Sequence, residues 1–130
     1  MQLGDLTLTT VSGGRFRVDG GTMFGVVPRA LWAGVFPPDE DHLIAQATNC
    51  LLIRSERHTI LVDTGYGSRL SENLRRRLVA EEGDPLGRSL EAAGVEYDQV
   101  DTLILTHLHF DHVGGALRLD TAGGLVPAFP

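Results

Sequence analysis

The sequence predicts an α/β fold, and three observations carry that prediction. Residues 6–9 and 15–18 alternate apolar and polar side chains with the period of two that suits strands. Residues 71–94 change to the i, i+4 spacing of helices, and Thr102–Thr106 then returns to a short apolar run. No internal repeat and no linker-like stretch divides the 130 residues, so they are read as part or all of one domain.

The elements follow in order. Leu6 and Leu8 alternate with Thr7 and Thr9, and Phe16 and Val18 alternate with Arg15 and Arg17. Ser12-Gly13-Gly14 between them reads as a turn joining two strands, and Asp19-Gly20-Gly21 ends the second. Phe24–Trp32 is apolar but contains Pro28, which predicts a loop with a short helical turn. Leu43–Arg54 and Thr59–Val62 are strands joined at Ser55–His58, a hairpin. The loop Asp63-Thr64-Gly65-Tyr66-Gly67 follows directly. Ser71 is an N-cap for a helix to about Ala80, with Leu74 and Leu78 on its apolar face. A second helix covers Leu86–Ala93, stopped by Gly94. Thr102–Thr106 reads as a buried strand, and His107–Gly115 as a loop. A brief amphipathic piece and a Gly/Pro-rich stretch complete the chain, with no closing helix or strand expected.

Composition narrows the function. With 42% hydrophobic residues and a mean hydropathy of +0.01, the chain is that of a globular protein. Its apolar runs are too short to cross a bilayer, and its first residues lack a basic-then-apolar leader, so a cytoplasmic, membrane-free protein is expected. The net charge is −6 and every basic residue is Arg, which argues against a partner that is nucleic acid. A single cysteine, Cys50, excludes an internal disulfide and a CxxC zinc site. Lying among Leu51, Leu52 and Ile53, it reads as a core thiol.

The chemistry concentrates in Thr106-His107-Leu108-His109-Phe110-Asp111-His112-Val113-Gly114-Gly115, where three of the five histidines and an aspartate fall within six residues. Neutral imidazoles and a carboxylate are good ligands for zinc and similar cations. His107 and His109, two apart at a strand end, can point to one side, while Leu108 and Phe110 between them can face the core. Four such polar groups at one strand end would be costly without a partner. Two divalent cations about 3.5–4 Å apart can supply a nucleophile at neutral pH without any serine or cysteine.

His107-x-His109-x-Asp111-His112, after an apolar strand and before Gly-Gly, resembles the signature of the metallo-β-lactamase-fold superfamily, and Ile60-Leu61-Val62-Asp63-Thr64-Gly65 resembles its preceding strand and loop. Asp19-Gly20-Gly21-Thr22-Met23-Phe24-Gly25-Val26-Val27-Pro28, Leu31-Trp32, Pro38-Asp39-Glu40 and Thr48-Asn49 look like the quorum-quenching-lactonase-like members. The resemblance implies an αββα sandwich, of which residues 1–130 would be the N-terminal half. It implies a binuclear site for Zn2+ or another divalent metal, with His107 and His109 as ligands of the first ion and Asp111 and His112 of the second. Asp111 would also hold a proton near the attacking water. Asp63 is either a residue that orients a ligand or a plain turn aspartate.

The resemblance further implies a hydrolase that uses metal-activated hydroxide on an ester-like bond of a small-molecule substrate, a lactone being the best single choice. Two alternatives stand beside it. One is a chain that is inactive alone, because the family's remaining histidines and bridging carboxylate have no counterpart after His112. The other is a di-iron oxidoreductase, against which His109 argues by standing where those members carry a carboxylate. A lone half would leave one sheet face uncovered, and self-association through that face is expected. His42 and His58 read as boundary and turn residues, Trp32 as a packing residue, and Arg75-Arg76-Arg77 as a solvated helix face.

Overall fold

The computed structural model describes residues 1–130. Its main sheet has five strands in the order β1-β2-β3-β4-β5: Gln2–Leu3, Leu6–Asp19, Leu43–Arg54, Thr59–Val62 and Thr102–Ile104. Every neighbouring pair is antiparallel except β4 and β5, which are parallel. Parallel strands need a crossover, and here it carries α3 (Glu72–Arg77) and α4 (Pro85–Ala92). Two short helices, α1 (Gly20–Phe24) and α2 (Arg29–Trp32), lie between β2 and β3. The one-turn helix α5 (Phe110–Val113) follows β5, and a separate hairpin pairs β6 (Leu117–Leu119) with β7 (Leu125–Pro127). The α/β class follows the sequence expectation.

The core lies on one face of that sheet. Val11, Cys50, Leu52 and Leu61 point to the same side and are covered by Leu86 and Leu90 of α4, with Val95, Val100 and Phe129 completing the layer. Leu86 and Leu90 are one turn apart and fully buried, so α4 docks by a single stripe. The sequence starts and stops this helix sharply. Asp84 caps it by accepting from the Gly87 N–H at 3.0 Å, Pro85 occupies its first turn, and Gly94 beyond it adopts φ +72°. The opposite sheet face carries Leu51, Ile53, Ile60, Val62 and Ile104 in register, and it is bare: Leu51 is 36% and Ile104 47% exposed.

Several expectations are corrected. Ser12-Gly13-Gly14 does not join two strands: Leu6–Asp19 is one strand of 14 residues, with its register shifting between Ser12 and Arg15. The glycines make a bulge rather than a turn, because the loop after β4 presses against them. A Cβ on Gly13 would sit 2.6 Å from the Cα of Gly65. Asp19-Gly20-Gly21 starts a helix as well as ending the strand: Asp19 accepts from the Gly21 N–H at 2.7 Å. The third helix stops at Arg77, not Ala80, and Leu74 on it is 38% exposed. Strand β5 is not buried, since Thr102 and Ile104 lie on the uncovered face. Leu108 and Phe110 do not enter the core: Leu108 is 76% exposed, and Phe110 meets Phe16 edge-on at 5.6 Å. The C-terminal stretch does form strands, β6 and β7.

Trp32 packs as expected, stacked on Phe24 with ring centroids 4.9 Å apart. Arg75 is held by Glu72 and Glu82 on an open helix face. Cys50 is buried, and burial together with the nearby Asp63 charge pushes its thiol from 9.0 up to about 11. Its contribution to stability is therefore complete below pH 9.0 and lost as pH rises through about 11. Alkylation of the native protein by iodoacetamide at pH 8 is expected to run at least about a hundredfold slower than that of an unhindered cysteine. Equal rates for native and urea-unfolded protein would contradict this placement.

Candidate metal centre

The site forms where the chain leaves β4 and β5 side by side. Asp63 follows β4 in the left-handed region, φ +60°, and its amide donates to the carbonyl of Ile104 at 2.8 Å. That turns the carboxylate across the end of β5. There it accepts from the Thr106 N–H at 2.8 Å and from the Thr106 hydroxyl at 2.8 and 3.0 Å. Its Oδ2 also lies 2.8 Å from His112 Nδ1. Burial acts to raise the Asp63 pKa, but the hydrogen bonds from His112 and Thr106 outweigh it and hold the carboxyl below 3.8. As a permanent acceptor it requires a proton on His112 Nδ1, which leaves Nε2 of that ring free.

The next segment is clamped from behind. The Thr64 N–H and hydroxyl both donate to the His112 carbonyl, at 2.8 and 2.9 Å, and the Gly115 N–H donates to the Thr64 hydroxyl at 3.1 Å. Glycine is required at this seam. A Cβ on Gly114 would lie 2.3 Å from the Tyr66 carbonyl oxygen, and one on Gly115 would lie 2.4 Å from that of Thr64. Thus the loop after β4 and the histidine segment are joined along their backbones, and α5 is held rigidly over the strand ends.

The ligand-type side chains emerge as two pairs. His107 Nε2 and His109 Nδ1 are 3.0 Å apart, and His112 Nε2 and Asp111 Oδ2 are 3.6 Å apart. Two donors on one zinc ion, each at about 2.0–2.1 Å in tetrahedral geometry, stand about 3.3 Å from each other. Both pairs fit that span. The rings of His107 and His112 are themselves only 4.0 Å apart, so the pairs are adjacent. No three of these donors gather around one point. His42 and His58 lie elsewhere; His58 closes the β3–β4 turn and lies 3.5 Å from Asp101.

Two openings border the cluster. One, of about 200 Å³, is lined by Thr48, Asn49, Cys50, Asp63, Asp111 and His112. The other, of about 370 Å³, is apolar and runs from His109 and Asp111 along Phe16, Val18, Met23 and Phe110. A larger cleft of about 570 Å³ between Tyr97 and Phe129 contains none of the histidines. Reading the sequence alone misses Thr106 and Thr64. The available signal is a hydroxyl residue at each strand end, immediately before His107 and immediately after Asp63.

The sequence profile of the metallo-beta-lactamase superfamily matches residues 43–128, most of the chain and all of this site. The chain belongs to the metallo-beta-lactamase superfamily. Among solved structures, this superfamily member is similar to a probable metal-dependent hydrolase from Staphylococcus aureus, with 33% identity and a TM-score of 0.83 over 95% of this chain and 44% of that one. It is also similar to AidC, a dizinc quorum-quenching lactonase in complex with a product, with 27% identity and a TM-score of 0.72 over 100% and 41% of the two chains. A third is the hydrolase AbOPH, with 26% identity and a TM-score of 0.74 over 100% and 40%. No curated protein matches the sequence. The chain thus spans less than half the length of each of these three superfamily structures. No helix in it is long and apolar enough to cross a membrane.

Proposed function

We propose that these residues serve a metal-dependent hydrolase acting on an ester-like bond, best matched by a lactone, with two zinc ions as the bound metals. The observation that carries the reading is the pairing of ligand-type atoms: His107 Nε2 with His109 Nδ1 for one ion, and His112 Nε2 with Asp111 Oδ2 for the other. Such ions, when bound, make water a nucleophile at neutral pH and polarise the substrate carbonyl. The chain's own contribution is to hold the four donors, to fix the His112 ring through Asp63, and to place Asp111 where it can take a proton beside the reacting bond. The apolar groove along Phe16, Met23 and Phe110 offers a surface for a hydrocarbon arm of a small-molecule substrate. The likeness to a dizinc lactonase supports both the metal and the substrate class.

A second observation sets the strength of binding. Each pair gives two donors, where a closed zinc site uses four. The 130 residues alone are therefore expected to hold zinc well below the affinity of a complete site, and more weakly at lower pH, because metal ligands must be deprotonated to bind. Calorimetric zinc titration at pH 6 and pH 8, with lactone hydrolysis followed before and after EDTA, tests both statements. Expected is weak, pH-dependent uptake, with any lactone turnover abolished by the chelator. Turnover indifferent to EDTA, or no zinc uptake at either pH, would reject the metal hydrolase; tight uptake of two zinc ions would reject the weak-binding statement.

A further inference from the structure

We infer that Thr106 is a positioning residue: its hydroxyl dictates which nitrogen of His107 is free for a metal, and so ties both donor pairs to the single carboxylate of Asp63. The inference rests on the metal-binding reading above.

A threonine hydroxyl has one hydrogen to donate and lone pairs to accept with. Thr106 Oγ1 lies 2.8 and 3.0 Å from the two oxygens of Asp63, a group that is ionised and can only accept. Its hydrogen is committed there. His107 Nδ1, 3.1 Å away on the other side, therefore has to donate to Oγ1. That fixes His107 with its proton on Nδ1 and a lone pair on Nε2, the atom that faces His109 Nδ1 at 3.0 Å. His112 Nδ1 also approaches Oγ1, at 3.4 Å, but Asp63 Oδ2 is nearer at 2.8 Å and takes that proton.

One carboxylate consequently orients His112 directly and His107 through one hydroxyl. The opposite tautomer of His107 would set the Nδ1 lone pair against the hydroxyl oxygen and put N–H where a ligand atom is needed. The chain order makes this geometry available, since Thr106 immediately precedes His107 and its own N–H is anchored on Asp63 at 2.8 Å. That backbone anchor survives replacement of the side chain. Thr106 is also exposed, so valine there disturbs no core packing.

The test uses the 130-residue chain with 15N-labelled histidine, metal-free at pH 8, where neutral rings report their tautomers by NMR. Wild type and Thr106→Ser are expected to show His107 protonated on Nδ1; Thr106→Val should lose that preference while His112, still held by Asp63, keeps its own. In cobalt and zinc titrations Thr106→Val should bind about 10-fold more weakly or worse, with serine restoring most of the loss. A His107 protonated on Nε2 in the wild type overturns the inference by itself, whether or not any variant folds. So does Thr106→Val with unchanged tautomer and affinity. Wild type that takes up no metal but shows the Nδ1 proton would count against the hydrolase reading while leaving the hydroxyl's role standing.

Discussion

Asp63→Ala is expected to lose about 2 kcal/mol of folding stability and about 10- to 100-fold in metal affinity at the His112–Asp111 pair. The stability term comes from donors left without an acceptor: the Thr106 N–H and hydroxyl and His112 Nδ1 all converge on this carboxylate. The affinity term comes from the ring, which is free to rotate or to move its proton once the carboxylate is gone. Asp63→Asn separates the two. Its carbonyl can still accept from Thr106, but its NH2 would face the N–H of His112, so His112 should exchange tautomer with a smaller loss of stability. The pH dependence carries its own sign. The folded carboxyl lies below 3.8, so its stabilisation is present above that value and disappears as pH falls through the lower folded one. The wild type should therefore show a steeper acid limb in its stability curve than Asp63→Ala, in which Asp101 still has a lowered carboxyl. Urea unfolding at pH 7 and pH 3 measures it, and parallel curves for the two proteins would contradict the assignment.

Gly65→Ala is expected to be at least as damaging, by about 3 kcal/mol or more. Gly65 stands at φ +64°, already unfavourable for alanine, and the added methyl would lie 2.3 Å from the Gly13 carbonyl oxygen and 2.5 Å from the Gly13 Cα. Both obstacles are backbone, so no side-chain rotation relieves them. Either β2 moves off the loop or the loop moves off β2. In the second case Asp63 and Thr64, two residues and one residue before, lose their hold on the histidine segment. Gly94→Ala is the control: it shares a positive φ, +72°, but its Cβ would meet nothing within 4 Å. It should cost about 1 kcal/mol. Denaturation midpoints for the two variants that coincide would show that the Gly13–Gly65 contact has no special weight.

The elements legible in the sequence are those whose signals are local. Apolar runs on either side of the turn at Ser55–His58 give β3 and β4, and the Leu86/Leu90 spacing with Gly94 gives α4 to within one residue. The bulge at Gly13-Gly14 is not local: it exists because Gly65 packs there and because the Thr48 hydroxyl donates to the Gly14 carbonyl at 2.9 Å across the sheet. Read alone, two glycines after a serine look like any turn. The same division runs through the site. His107, His109, Asp111 and His112 declare themselves by spacing. What their nitrogens point at does not, since it depends on Asp63 and Thr64, which come from the other parallel strand. The same limit applies to Leu108 and Phe110, whose alternation with the ligand residues suggests core positions although both are exposed, Leu108 at 76% and Phe110 at 43%.

The crowding of all four donors into one short stretch has a thermodynamic corollary. An unfolded chain still carries that stretch intact, and histidine-rich peptides capture zinc. A ligand bound by both states stabilises the native one only through the difference in affinity. Zinc should consequently raise the melting temperature of this chain far less than its occupancy suggests. The part that it does raise reports how much the distant aspartate and threonine improve upon a flexible peptide, so a thermal-shift assay here gauges preorganisation rather than binding.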